Sequence, residues 1–197
     1  VRIHLLRSQG AIYSAQAYLV LGEWNRLNDV NALVDVGTDG SIVRMISVLS
    51  TGVGKKPIER VVLTHTHFDH AGGLSVIQAA YHPETYAYAM GEGIGHQLSH
   101  GEVLKLGDED FEVLHVPEHS SDSVCLYSHA TGVLFSGDTP LRMNTQGRSC
   151  GTDYLDFLQD LVRRGVTAIY SGHDQPVLER ASSVIETALR NAVQVAC

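Results

Sequence analysis

Residues Thr64-His65-Thr66-His67-Phe68-Asp69-His70 follow directly on the apolar stretch Val61-Val62-Leu63. Four metal-capable side chains thus fall within six positions at the end of an apolar run. A strand that stops abruptly in such residues, at the lip of a sheet, is a mount for metal ions. In extended chain, His65 and His67 point to the same side, because side chains repeat every second residue. They can therefore grip one ion together. Asp69 and His70 fall where the chain must turn, and can face a second ion beside the first. Imidazole nitrogen with one carboxylate suits zinc, iron or manganese and does not suit calcium or magnesium.

The chain has 197 residues, the size of one ordinary domain with room for a sizeable core. Apolar residues make up 44% and charged residues 18%, the balance of a soluble globular chain rather than a disordered one. The formal charge of −8 argues against a general nucleic-acid surface, which needs clustered Lys and Arg. Two bound dications would halve it, so part of the acidity is accountable as ligand charge. A small anionic substrate stays compatible, because metals supply local positive charge. Cys125, Cys150 and Cys197 are too few and too widely spaced for a disulfide framework or a cysteine zinc site. The segment Val1–Arg7 lacks the apolar core and cleavage site of a signal peptide, and no run reaches the length of a membrane span. The expected setting is the cytoplasm, with no membrane partner.

Ala17–Leu21 and Ala32–Val36 read as short buried strands joined by the polar segment Gly22–Asn31. A helix is expected from Asp39, since Ile42, Met45, Ile46 and Leu49 repeat at helical spacing. Glu59–Thr64 is the strand that delivers the histidine run, and Ala71–Ala80 a helix opening at Gly72-Gly73. Thr85–Ala89 reads as a strand and Gly91–Gly101 as a loop or distorted helix. Val103–Leu106 and Phe111–Val116 read as paired strands, and Val124–Tyr127 with Gly132–Phe135 as a hairpin. Tyr154–Val162 is an amphipathic helix, Thr167–Tyr170 a strand, and Leu178–Val195 a final helix. Each half therefore runs strands and then a helix. Two such halves packed sheet on sheet, with helices outside, fit a four-layer sandwich; periodicity alone fits a doubly wound single sheet as well.

Three more places put a metal-capable side chain just after an apolar strand: His119, Asp138 and His173. Gly137 and Gly172 precede the last two and let the backbone turn tightly as it leaves the strand. Strand ends gathered at one sheet edge are where open α/β sites form. The scattered residues His4, His82, His96, His100, His115 and His129 read as ordinary surface or core histidines, although His96 and His100 have the i, i+4 spacing of a helical metal pair.

Taken in order, Thr64-His65-x-His67-x-Asp69-His70, then Pro117-Glu118-His119-Ser120-Ser121-Asp122-Ser123-Val124, then Ser136-Gly137-Asp138-Thr139, then Ser171-Gly172-His173, the chain resembles the metallo-β-lactamase-fold hydrolases. The resemblance implies one domain over residues 1–197: an α/β (α+β) fold, a four-layer αβ/βα sandwich of two mixed sheets with helices outside. It implies His65, His67 and His119 on one metal, Asp69, His70 and His173 on the other, and Asp138 bridging both. Asp138 stands where class B1 β-lactamases carry a Cys, so antibiotic hydrolysis is not the expected activity. The branch it is most similar to is the small glyoxalase II-like thioester hydrolases. Gly147-Arg148 resembles the Gly-Arg of their post-bridge loop, whereas Glu118 stands where that group usually has Gly. One helix is expected beyond His173, without the C-terminal helical domain that holds glutathione thioesters in full-length glyoxalase II.

The chemistry this implies is hydrolysis of a small thioester, ester or lactone by a hydroxide bridging two divalent ions, most simply zinc, with iron or manganese as alternatives. Asp69 and Asp138 are the expected catalytic carboxylates, Asp69 also orienting the attacking water. Thr64, Asp35 and Ser171 are placed to orient the imidazoles. Met143, Arg148 and Tyr154 follow Asp138 and are expected to line the substrate cleft. Two other activities are alternatives: a phosphodiesterase or nuclease with the same ligands, and a persulfide dioxygenase, which resembles glyoxalase II but uses one iron. A non-enzymatic fold that keeps its metals structurally is a third alternative. The expected partner is a small-molecule substrate, not nucleic acid, with a homodimer left open as the assembly.

Overall fold

The computed structural model describes residues 1–7, 13–141 and 152–196. Its first sheet has six strands: β1 (Arg2–Leu6), β2 (Ala17–Leu21), β3 (Ala32–Val34), β4 (Arg60–Val62), β5 (Glu84–Ala87) and β6 (His96–Gln97). They lie in sequence order, antiparallel through β1, β2 and β3 and parallel from β3 to β6. The second sheet runs in the order β11 (Ala168–Ser171), β10 (Val133–Gly137), β9 (Val124–Tyr127), β8 (Glu109–His115), β7 (Val103–Leu106). Only β10 and β11 are parallel in it. Five helices complete the described chain: α1 (Ile42–Ser47), α2 (Phe68–Ala71), α3 (Leu74–Tyr81), α4 (Thr152–Arg164) and α5 (Ala181–Ala196).

Strand alternation sorts the apolar residues into three cores and so fixes the layers. On β2, Tyr18 and Val20 face the second sheet, while Ala17, Leu19 and Leu21 face α1 and α3. On β9, Val124 and Leu126 join the same inter-sheet core, while Cys125 and Tyr127 face α4 and α5. The central core therefore draws on both sheets, with Phe135 meeting Tyr18 on one side and Phe111 on the other. The outer cores take Ile42, Ile46, Leu74 and Ile77 on one side, and Leu158, Leu161, Ile185 and Ala192 on the other. Helices lie outside two mixed sheets, which resolves the choice between a sandwich and a single wound sheet. No helix of the described residues is long and apolar enough to cross a membrane.

Three local expectations differ. β1 is a strand where the sequence pattern marks no element: its residues are mostly half-buried, and it gains order by pairing with β2 from Arg2↔Leu21 to Leu6↔Ala17. β6 is a two-residue strand within 91–101; both residues are exposed, so no alternation marks it. The helix expected over 71–80 is two helices broken at Gly72-Gly73. A Cβ at Gly72 would sit 2.6 Å from the Thr38 carbonyl oxygen, and one at Gly73 2.6 Å from that of Asp39, so the break lets this segment press against the chain after β3.

Because β3 runs parallel to β4 and β10 to β11, the chain leaves all four at one side. Asp35, His65, Asp138 and His173 lie just past those ends. The two sheets are tied there: Val124 N–H donates to Thr64 O at 2.8 Å, and Gln16 N–H to Gly172 O at 2.7 Å.

Candidate metal centre

Past β4 the chain carries His65 inward, 1% exposed, and then turns at His67, the extended residue before α2. The loop after β8 brings His119 to it from the other sheet: His119 Nε2 lies 3.0 Å from His67 Nδ1. Ligand atoms of His65, His67 and His119 all lie within 4.8 Å of one another. Two nitrogens on one tetrahedral zinc stand about 3.3 Å apart, given zinc–nitrogen bonds of about 2.0–2.1 Å. Asp69, His70, Asp138 and His173 form a second set within the same limit. His173 Nε2 is 3.0 Å from Asp69 Oδ2 and 3.3 Å from Asp138 Oδ2, and His70 Nε2 is 3.3 Å from Asp138 Oδ1. Asp138 also reaches the first set, 3.7 Å from His119 Nε2. All seven side chains expected as ligands are thus brought together, in two groups with Asp138 between them.

Local hydrogen bonds aim these groups. Asp35, buried and in the left-handed region at φ +58°, accepts from Thr64 N–H, from the Thr64 hydroxyl and from His70 Nδ1–H, each at 2.8 Å. Its grip on Nδ1 turns Nε2 of His70 into the site. The Nε2 atom of His65 is buried and has no hydrogen-bond partner, and that of His70, equally buried, faces only the Asp138 carboxylate at 3.3 Å. A buried polar atom without a partner is costly, and a cation in the site would satisfy both, so the donor set fits divalent metal ions. Burial, reinforced by His70, lowers His65 to about 4, leaving a neutral imidazole. Burial also opposes charge on His70, yet Asp35 and Asp138 outweigh it and hold the group up at about 10. Against the same burial cost, His70 holds the Asp138 carboxyl down at about 2.

The metallo-beta-lactamase superfamily model matches residues 14–173, the span that carries all seven residues. The chain belongs to this superfamily. It is 34% identical over 128 residues to the hydroxyacylglutathione hydrolase of Xanthomonas euvesicatoria pv. vesicatoria (strain 85-10), covering 61% of this chain and 49% of that protein. It is 30% identical over 162 residues to the acyl-coenzyme A thioesterase MBLAC2 of Gallus gallus, covering 62% and 58%. Both relatives are hydrolases by name, and the chain spans roughly half the length of such relatives. Among solved structures, a metallo-beta-lactamase family protein from Thermus thermophilus superposes with a TM-score of 0.66 at 19% identity, over 98% of this chain and 78% of that one.

Within this superfamily site, other residues expected near the centre take different places. Tyr154 is 2% exposed in the core under α4, and its hydroxyl donates to Pro140 O at 2.9 Å. It holds the chain two residues after Asp138 in place. Its helical spacing with Leu158 and Leu161 is the signal for its burial. Met143 and Arg148 lie outside the described residues. Ser171 acts through its loop, accepting from Asp174 N–H at 3.2 Å, rather than touching an imidazole. His96 stacks on Tyr86, and His100 Nδ1 accepts from His115 N–H, so neither joins the centre.

Two residues support the centre in ways that the sequence reading does not give. Asp122 accepts from Thr66 N–H at 2.8 Å, the Thr66 hydroxyl at 2.7 Å and the Ser120 hydroxyl at 2.6 Å. It locks the loop of His65 and His67 to the loop of His119. Its Ser-x-Asp spacing is a local turn signal, but the partner at Thr66 is set by tertiary structure. Gly172 is the second. A Cβ there would lie 2.2 Å from Asp138 Oδ1 and 2.6 Å from His70 Cε1. Gly172→Ala is expected to displace both groups and weaken metal binding by about 10–100-fold, the scale for loss of ligand orientation. Competition titration with a chromogenic chelator measures it; unchanged affinity would show that the close approach is immaterial.

Proposed function

We propose that this chain is a metal-dependent hydrolase of a small thioester, with esters and lactones as related substrates. Two divalent ions would be held, one by His65, His67 and His119, the other by Asp69, His70 and His173, with Asp138 shared. Zinc is the ion that suits this imidazole and carboxylate set best. The observation that carries the reading is the position of Asp138, within 3.7 Å of a nitrogen from each set. When bound, such ions lower the pKa of coordinated water toward about 7 and polarise a carbonyl oxygen.

The chain's own groups have separate tasks. Asp69 is half-buried at the mouth and can accept a proton from attacking water while His173 holds its Oδ2. Asp35 keeps His70 in one tautomer, and Asp122 keeps His119 in register with His67. A thiol nucleophile has no support at Cys125, where burial pushes the thiol up to about 12. The names of the two relatives support a thioester over other bonds. The net charge of −8 supports a small molecule over nucleic acid. A reducing, cytoplasmic setting is part of the same proposal, supported by three widely spaced cysteines.

Chelator-treated protein is expected to lose thioester hydrolysis and to regain it with zinc. The panel is an acyl-glutathione thioester, a lactone, bis-nitrophenyl phosphate and glutathione persulfide. Turnover of the phosphodiester alone would replace this reading with a phosphodiesterase. One iron per chain, with oxygen uptake on the persulfide, would replace it with a dioxygenase.

A further inference from the structure

The chain has eight tyrosines and four phenylalanines, and only Tyr13 and Phe68 among them are exposed, at 71% and 68%. Both flank the candidate centre. The Tyr13 ring lies on the imidazole of His173, centroids 4.8 Å apart and planes 17° from parallel. Phe68 stands between His67 and Asp69, and its ring lies across Gly72, with Cε2 2.9 Å from where a Cβ would be. The two are fixed to one piece of backbone. Thr38 donates through its hydroxyl to Tyr13 O at 2.6 Å, and its carbonyl oxygen comes within 2.6 Å of the same Gly72 position that Phe68 covers. Ala15 N–H donates to Asp69 O at 3.0 Å. Burying such a ring is favourable in proportion to the area removed from water. The fold takes that gain at every other Tyr and Phe and leaves these two open beside the reacting groups. Ligand sites are lined by apolar side chains around a few placed polar ones.

We propose that Tyr13 and Phe68 form an aromatic rim that packs against an apolar chain of the substrate, making this a site for medium-length apolar thioesters. The rim rests on the hydrolase reading for its substrate class. Two series separate the acyl and thiol ends: S-acyl-N-acetylcysteamines from acetyl to octanoyl, and S-alkyl thioacetates from ethyl to octyl. In one series, kcat/KM of the zinc-loaded protein rises by about 15-fold across the range, the effect of two covered methylenes at roughly four-fold each. The ratio of longest to shortest substrate falls several-fold in Phe68→Ala and in Tyr13→Ala. It is retained in Trp24→Ala, whose exposed ring lies before β3 at the opposite end of the sheet. A flat profile in both series, or a ratio untouched by either rim variant, would overturn the rim while leaving the hydrolase intact. Absence of turnover on every thioester would remove the hydrolase reading instead. Calorimetry then decides the rim: octanoate binding more tightly than acetate, with the difference lost in Phe68→Ala, upholds it, and equal binding overturns it.

Discussion

Asp138→Asn is expected to lower kcat/KM on thioesters by on the order of 10³-fold, the scale for removing one preorganised electrostatic stabiliser. The carboxylate lies within 3.7 Å of nitrogens from both sets. The amide keeps the shape but loses the charge, and one oxygen becomes a donor facing His70 and His173. Loss should therefore fall on activity and on retention of the second ion, with folding little changed, because the amide keeps the carboxylate's size and its place beside His70 and His173. Steady-state kinetics with metal analysis of the same sample measure both. A loss of less than ten-fold with two ions retained would mean that Asp138 is not shared.

Asp35→Ala is expected to act in the opposite proportion, on stability first. The side chains of His70 and Asp35 are 0% and 3% exposed, and Asp35 also satisfies the backbone N–H and hydroxyl of Thr64. Removing one partner of a buried charged pair costs about 3–5 kcal/mol. For a chain of this length that corresponds to a fall of about 10 °C in Tm. The orphaned imidazole also loses its orientation, so zinc affinity should drop by about 10–100-fold. Chemical unfolding of the metal-free variant isolates the first effect, and competition titration the second. Wild-type stability without metal would show that the Asp35–His70 contact does no structural work.

Much of this arrangement is legible in the sequence because strand alternation is a local signal. Tyr18/Leu19 and Val124/Cys125 split cleanly between cores, and their neighbours in sequence show that pattern. The four apolar strands that stop at Asp35, His65, Asp138 and His173 can likewise be seen in one dimension. Long-range support cannot. Asp122 reads as a turn residue until Thr66 is found beside it, and Gly172 as a flexible joint until Asp138 and His70 occupy the space of its missing side chain. β6 is too short to carry a period, and β1 is ordered by β2 rather than by its own apolar content. Tyr154 shows the local signal at work again: its helical stripe with Leu158 and Leu161 marks it as a buried position of α4.

The paired grouping of His65, His67 and His119 against Asp69, His70, Asp138 and His173 meets its most direct test in calorimetric titration of the chelator-treated protein with zinc, checked by elemental analysis after gel filtration. Two ions per chain are expected in the unaltered protein, falling to one in His173→Ala and in His119→Ala. A single ion in the unaltered protein, or no retained metal at all, would contradict it.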